Sequence, residues 1–275
     1  MFEHVLVAVD FSPAWPHLEA RLHMLHELGT RRATLVHVLS TRYPAVPAET
    51  HRPHYEARLH ELAEELAAAD VAIDVQVRSG EPGYELTQAA RELQADLILA
   101  GMTGHTAVHD FLLGSTVLDL ARLTQTPLWL DPIAEAHKPT ELRSVLLATD
   151  GSTAAAQAED VLIALVPKAT SAIALQVISS RDEREQEIEA RDAQDHLGKL
   201  TQRADGLDVR VQTGDPATLI VETADATNAD LIILGKRGRS TLRDLLLGST
   251  VETVCRHSRR PILVVPQLHR SSAAG

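Results

Sequence analysis

Leu231-Ile232-Ile233-Leu234-Gly235-Lys236-Arg237-Gly238, followed after a nine-residue spacer by Gly248-Ser249-Thr250, is the stretch that decides how this chain folds. The apolar run reads as a buried strand and Val251 to His257 as a helix, so glycines and hydroxyls fall where a strand hands over to a helix. Anions bind at such junctions. The first N–H groups of the helix and its positive dipole end point outward, and glycine lets a phosphate approach the backbone without a Cβ in the way. The same spacing stands at Gly101-Met102-Thr103-Gly104 and Gly114-Ser115-Thr116. One such motif is weak; two in equivalent places are strong.

The copies belong to a repeat of the whole chain. An offset of 134 residues (235 − 101) also maps Ser79-Gly80-Glu81-Pro82 onto Thr213-Gly214-Asp215-Pro216. Near the starts of the halves Asp10-Phe11-Ser12 falls on Asp150-Gly151-Ser152, an offset of 140 (150 − 10). Most of the extra residues in the first half are placed in Thr41 to Pro47, which has turn chemistry and no helical period.

Each half alternates strands with helices. In the first, strands are expected near Val5 to Val9, Ala33 to Leu39, Val71 to Val77, Asp96 to Ala100 and Pro127 to Leu130. In the second they fall near Val145 to Thr149, Ala172 to Ile178, Leu207 to Val211, Asp230 to Leu234 and Ile262 to Val265. Between them lie stripes at helical spacing, such as Leu18, Leu22, Leu25 and Leu28. The charged stretch Arg181 to Arg203 keeps Ala190, Ala193, Leu197 and Leu200 on one side, so its charges read as a solvated helix face.

This order predicts an α/β chain of two tandem doubly wound domains, 1–134 and 141–267, with helices on both sheet faces. First and fourth strands are nearly continuous apolar runs and belong in the centre; the third strands alternate and suit an edge. Pro261-Ile262-Leu263-Val264-Val265-Pro266 is too apolar for an open edge and is expected to pair with Leu128-Trp129-Leu130 of the other half, or with another chain. Ala134 to Thr140 reads as a short polar linker, so the halves are expected to pack as an intrachain pseudo-dimer.

Bulk properties narrow the function. With 275 residues and 44% hydrophobic content the chain can build real cores. A net charge of −12 argues against general adhesion to nucleic acid or an anionic membrane. No apolar run approaches a membrane span and the N-terminus reads as a first strand rather than a signal peptide, so a cytoplasmic location is expected. The single Cys255 reads as filler on a buried helix face. Lys236, Arg237, Arg239 and Arg243 crowd the second glycine motif of this acidic chain; an anion pocket accounts for them better than a solvated loop does.

In open parallel sheets ligands sit beyond the carboxyl ends of the strands, where neighbouring crossovers run to opposite faces. That crevice collects Asp10 and Asp150 from first strands and the glycine motifs from fourth strands. A carboxylate is wrong for phosphate but right for ribose or base groups, so the constellation reads as a nucleotide site.

The G-x2-G-x9-G-S/T pattern after a fourth strand, the aspartate ending the first strand and His37-Val38 on the second resemble the universal stress protein family, as a tandem of two domains covering essentially the whole chain. The resemblance implies five-stranded parallel sheets ordered 3-2-1-4-5 and binding of ATP, ADP or AMP, with Mg²⁺ carried by the nucleotide. It places Asp10 and Asp150, with Ala8 and Ala148, at the adenosine part, and gives Val38 and Val177 main-chain contacts to the adenine edge. Ribose and phosphates fall to Gly101, Met102, Gly104, His105, Gly114, Ser115 and Thr116, and to Gly235, Lys236, Gly238, Arg239, Gly248, Ser249 and Thr250.

The copies differ. Gln176 stands where the first half has His37, and Lys236-Arg237-Gly238-Arg239 faces Met102-Thr103-Gly104-His105, so weaker triphosphate affinity is expected in the first half, by about 1 to 2 kcal/mol for two missing charge-assisted contacts. His105 with His109, and His51 with His54, lack the partners of a zinc site. No lysine precedes Ser249, so P-loop phosphoryl transfer is unsupported. The expected function is a nucleotide-binding stress-response regulator acting through conformation or assembly, a homodimer included. The alternatives are a slow ATPase using the same sites and a scaffold with silent sites.

Overall fold

The structure is a computed structural model that describes residues 1–12, 15–40, 48–66, 71–102, 114–132, 141–238 and 247–267. The first half runs β1 (His4–Ala8), α1 (Trp15–Glu27), β2 (Arg32–Ser40), α2 (Arg52–Leu66), β3 (Ala72–Gly80), α3 (Pro82–Glu92), β4 (Leu97–Gly101), α4 (Ser115–Leu123) and β5 (Leu128–Asp131). The second repeats it with β6 (Ser144–Thr149), α5 (Ala156–Leu165), β7 (Ser171–Ile178), α6 (Glu183–Thr201), β8 (Leu207–Thr213), α7 (Pro216–Ala226), β9 (Leu231–Gly235), α8 (Ser249–His257) and β10 (Ile262–Val265). Thr41 to Pro47 and the expected linker Ala134 to Thr140 lie outside the described residues.

Strands order as β3-β2-β1-β4-β5-β10-β9-β6-β7-β8, each half giving the expected 3-2-1-4-5. The two sheets are one. Val264, Leu263 and Ile262 pair antiparallel with Leu128, Trp129 and Leu130, while every other step is parallel. The apolar last strands therefore cover each other's edges within the chain, which removes the unpaired ladder they would otherwise expose. The outer edges, β3 and β8, carry Arg32–Asp74 and Arg210–Asp208 ion pairs instead.

Side chains alternate across this sheet between two cores. Val5 and Val7 join Leu18, Leu22, Leu59, Leu162 and Leu197, from α1, α2, α5 and α6. Leu6 faces the opposite layer with Leu86, Leu120, Ile220 and Val254, from α3, α4, α7 and α8. Burial on both faces explains the uninterrupted apolar runs of the central strands. Cys255 packs in the second layer, and burial pushes its thiol up to about 12, as suits a filler and not a reactive thiol.

Polar contacts stitch the seam. Lys168 Nζ donates to Leu28 O at 3.0 Å, and Arg122 on α4 pairs with Glu252 on α8 at 3.2 Å. Next to the seam Arg21 Nε meets Asp131 Oδ2 at 2.6 Å, with both side chains 2% exposed and the guanidinium over the ring of fully buried Trp129. The repeat puts Val161 and Val265 at the positions of Arg21 and Asp131.

Candidate functional site

Each half forms a cavity at the carboxyl ends of its central strands. In the first, β1 hands over to Val9 and Asp10, and Asp10 Oδ1 accepts from Ser12 N at 3.0 Å, turning the chain sharply. The second half repeats the turn, with Asp150 Oδ1 accepting from Ser152 N at 3.0 Å. The next residue has a left-handed backbone in both copies, Gly151 at φ 72° and Phe11 at φ 57°. For phenylalanine that conformation is unfavourable. Phe11 is held there by stacking, 5.5 Å from Tyr55 with Arg58 lying 4.1 Å above its ring.

Opposite each aspartate is the start of a helix. Gly114 caps α4 and Gly248 caps α8, and neither helix start has a side-chain cap. On the neighbouring helix, by contrast, Asp215 accepts from Thr218 N at 2.9 Å and so caps α7 with its own carboxylate. Among the described residues the first-turn N–H groups of α4 and α8 thus have no capping side chain such as α7 has, which suits a ligand's phosphate. The loops close identically: Gly114 N donates to Met102 O at 3.2 Å and Gly248 N to Lys236 O at 3.1 Å.

The first cavity, about 280 Å³, brings together Ala8, Asp10, Val38, Gly101, Gly114, Ser115 and Thr116. The second, about 410 Å³, brings together Ala148, Asp150, Val177, Gly235, Gly238, Gly248, Ser249 and Thr250, with Arg237 in its wall. A Cβ at Gly238 would collide with Asp150 Oδ2, so any side chain there has to displace that carboxylate. Gly104, His105 and Arg239, with Arg243 and His109, lie outside the described residues.

Two assigned residues are not in the walls. Met102 is 4% exposed and packs in the core beside α4. Lys236 is 2% exposed and reaches across the seam, where Nζ donates to Arg122 O and Thr124 O, both at 2.7 Å. Both residues hold their loops through the main chain, with Met102 N on Asp131 O and Lys236 N on Val265 O. Alternation at the strand end sends the flanking side chain inward, so the lysine read as a phosphate ligand is instead a buried pin. Burial, with a smaller push from Arg237, lowers its ammonium to about 8.

Some wall residues carried no assignment. Pro82 and Leu86 line the first cavity, and Pro216 and Ile220 the second, from the starts of α3 and α7. The repeated Gly80-Glu81-Pro82 and Gly214-Asp215-Pro216 turns were the signal for them. Glu189 on α6 also lines the second cavity, and nothing in its charged helix marks it out. The walls differ in support as well. His37 bonds Val9 O through Nδ1 at 2.7 Å and stacks on Tyr55 at 4.4 Å, whereas Thr149 Oγ1 bonds Glu159, which also meets His196 Nε2 at 2.8 Å. Among the described residues no group of three or more His, Cys, Asp or Glu could hold a metal ion, and no helix is long and apolar enough to cross a membrane.

Comparison with known proteins identifies the architecture. The chain belongs to the universal stress protein family, whose model matches residues 1–132 and again 141–266, a tandem of two such domains. A universal stress protein of Methanocaldococcus jannaschii is 37% identical over 83 residues, a match spanning 29% of this chain and about half, 49%, of that relative. One of Synechocystis is 38% identical over 76 residues, 26% of this chain and 70% of its own length. A universal stress protein structure from Archaeoglobus fulgidus shares the fold along 96% of both chains, with TM-score 0.76 at 22% identity.

Proposed function

We propose that this member of the universal stress protein family is an adenine-nucleotide-binding regulator that takes ATP, ADP or AMP into each cavity and acts through a nucleotide-dependent change of conformation or assembly. The observation that carries the reading is the opposition, in both halves, of a first-strand carboxylate and a glycine-bounded helix start with no side-chain cap. The carboxylates of Asp10 and Asp150 accept from ribose hydroxyls. Ser115, Thr116, Ser249 and Thr250, with the N–H groups of their helix starts, receive phosphates, and Arg237 adds charge in the second site. Val38 and Val177 offer main-chain groups to the adenine edge. Mg²⁺, where a polyphosphate is bound, arrives with it.

On this reading the units 1–134 and 141–267 each hold one site, in a cytoplasmic protein whose further partners, a second copy included, meet surfaces outside the cavities. Titration of the purified chain with ATP, ADP, AMP and GTP tests it. Saturable adenine-nucleotide binding, abolished by Asp10→Ala with Asp150→Ala, is expected; no binding, or binding that survives both changes, defeats the reading. Slow hydrolysis is its competitor. Phosphate release that proceeds unchanged in Ser249→Ala and Gly238→Ala would place turnover outside these sites.

A further inference from the structure

The second cradle is tied to the first by one side chain. Lys236 lies between Gly235 and Arg237, both in the wall of the second cavity, and its carbonyl receives Gly248 N at the cap of α8. Its ammonium, however, sits in the other half, donating to Arg122 O and Thr124 O at 2.7 Å each. These are carbonyls at the carboxyl end of α4, the helix whose amino end, Gly114 to Thr116, lines the first cavity. Pin and cradle stand at opposite ends of this nine-residue helix, which is about 13 Å long at 1.5 Å per residue.

We propose that Lys236 is a positioning residue that couples the two nucleotide sites, so that filling the second tightens the first. The inference rests on the nucleotide reading of the cavities. Any shift of the Gly235 to Gly238 backbone to receive a ligand moves a lysine that is 2% exposed. Leaving its two carbonyls would strand a buried donor and two acceptors, so loop and helix end move together or not at all. A ligand that orders the loop therefore also orders α4, and the first site then loses less freedom on binding.

The device runs one way through the pseudo-symmetric pair. The repeat puts Met102 at the position of Lys236, and a thioether cannot donate to carbonyls at the end of α8. Coupling free energy is nevertheless reciprocal, so filling the first site must tighten the second by the same factor.

Calorimetric titration of the full chain with ATP tests this as a cycle. First-site affinity is measured with the second site intact and with it closed by Asp150→Ala, in the wild-type background and again with Lys236→Met, which installs the residue the first half uses. The expected result is a fall of about fivefold or more in first-site affinity on closing the second site. With Lys236→Met that fall disappears. Two sites that bind ATP independently in the wild type, or coupling that survives Lys236→Met, overturn the proposal while leaving the nucleotide reading intact; absence of binding at both sites removes both.

Should Lys236→Met not fold, hydrogen exchange in Asp10→Ala provides the second measurement. ATP at the second site should slow exchange of the Ser115–Leu123 amides. Unchanged exchange there overturns the coupling.

Discussion

Gly238 lies directly against Asp150, so close that the smallest side chain at 238 would strike the carboxylate Oδ2. The contact ties the glycine motif after β9 to the aspartate after β6 across the second cavity. Gly238→Ala should displace Asp150 and lower second-site ATP affinity by about 1 to 2 kcal/mol, roughly tenfold, for the loss of a hydrogen bond to a charged group. Calorimetry checks this, with circular dichroism confirming an unchanged fold.

Arg237 contributes the cationic side chain in the described wall of the second cavity. Because Lys236 points across the seam, the expected affinity gap between the sites rests on Arg237 where the described residues are concerned. Arg237→Ala should weaken ATP more than AMP at the second site, by about 1 kcal/mol, and flatten the salt dependence of binding. An equal loss for both nucleotides would place the guanidinium away from the terminal phosphates.

The buried Arg21–Asp131 pair is replaced in the repeat by Val161 and Val265, which gives a direct comparison of ionic and apolar solutions at one place in the fold. Asp131→Val alone should cost about 3 to 5 kcal/mol, since it leaves the Arg21 guanidinium buried against Trp129 without its carboxylate. Arg21→Val combined with Asp131→Val should recover part of that loss, since the buried indole N–H of Trp129, 3.2 Å from Asp131 Oδ2, still loses its acceptor. Urea unfolding of both variants measures the difference; a double variant no better than the single one would show that the pair carries packing the valines cannot replace.

Lys236 titrates at about 8 in the folded chain, below its ordinary 10.5, because burial disfavours the charged form. Between those values the unfolded chain holds the proton and the folded chain has released it, so this group adds stability as pH rises from about 8 to about 10.5. A neutral amine keeps two N–H donors for its two carbonyls. The stability of the wild type relative to Lys236→Met should therefore increase between pH 7.5 and 10, at most by about 1.4 kcal/mol per unit of pKa displacement. A constant difference across that range would mean that the folded lysine keeps its proton as long as the unfolded one does, as a hydrated ammonium would.

Much of this was legible because the chain says everything twice. The 134- and 140-residue offsets matched the halves to each other, the alternating pattern of the third strands put β3 and β8 on the edges, and the bare apolar character of Ile262 to Val265 pointed to Leu128 to Leu130 as its partner. The direction of a single side chain was not legible. A lysine beside a glycine motif reads as a phosphate ligand; only the antiparallel seam brings the last carbonyls of α4 within 2.7 Å of it, from residues 114 and 112 positions away. Arg21 and Asp131, 110 residues apart within the first half, meet through a packing that likewise leaves no local pattern. Glu189 stands at the position of Tyr55 in the repeat, a residue of different chemistry, so comparison of the halves does not single it out.

The central claim is that both cavities take an adenine nucleotide, and the most direct test is to denature the chain, purified without nucleotide-stripping steps, and quantify by mass spectrometry what is released. The account predicts adenine nucleotide approaching two equivalents per chain after incubation with ATP, falling to about one when Asp150→Ala removes the ribose acceptor of the second site. Release of no nucleotide after such incubation, or of an amount indifferent to Asp150→Ala, would contradict it.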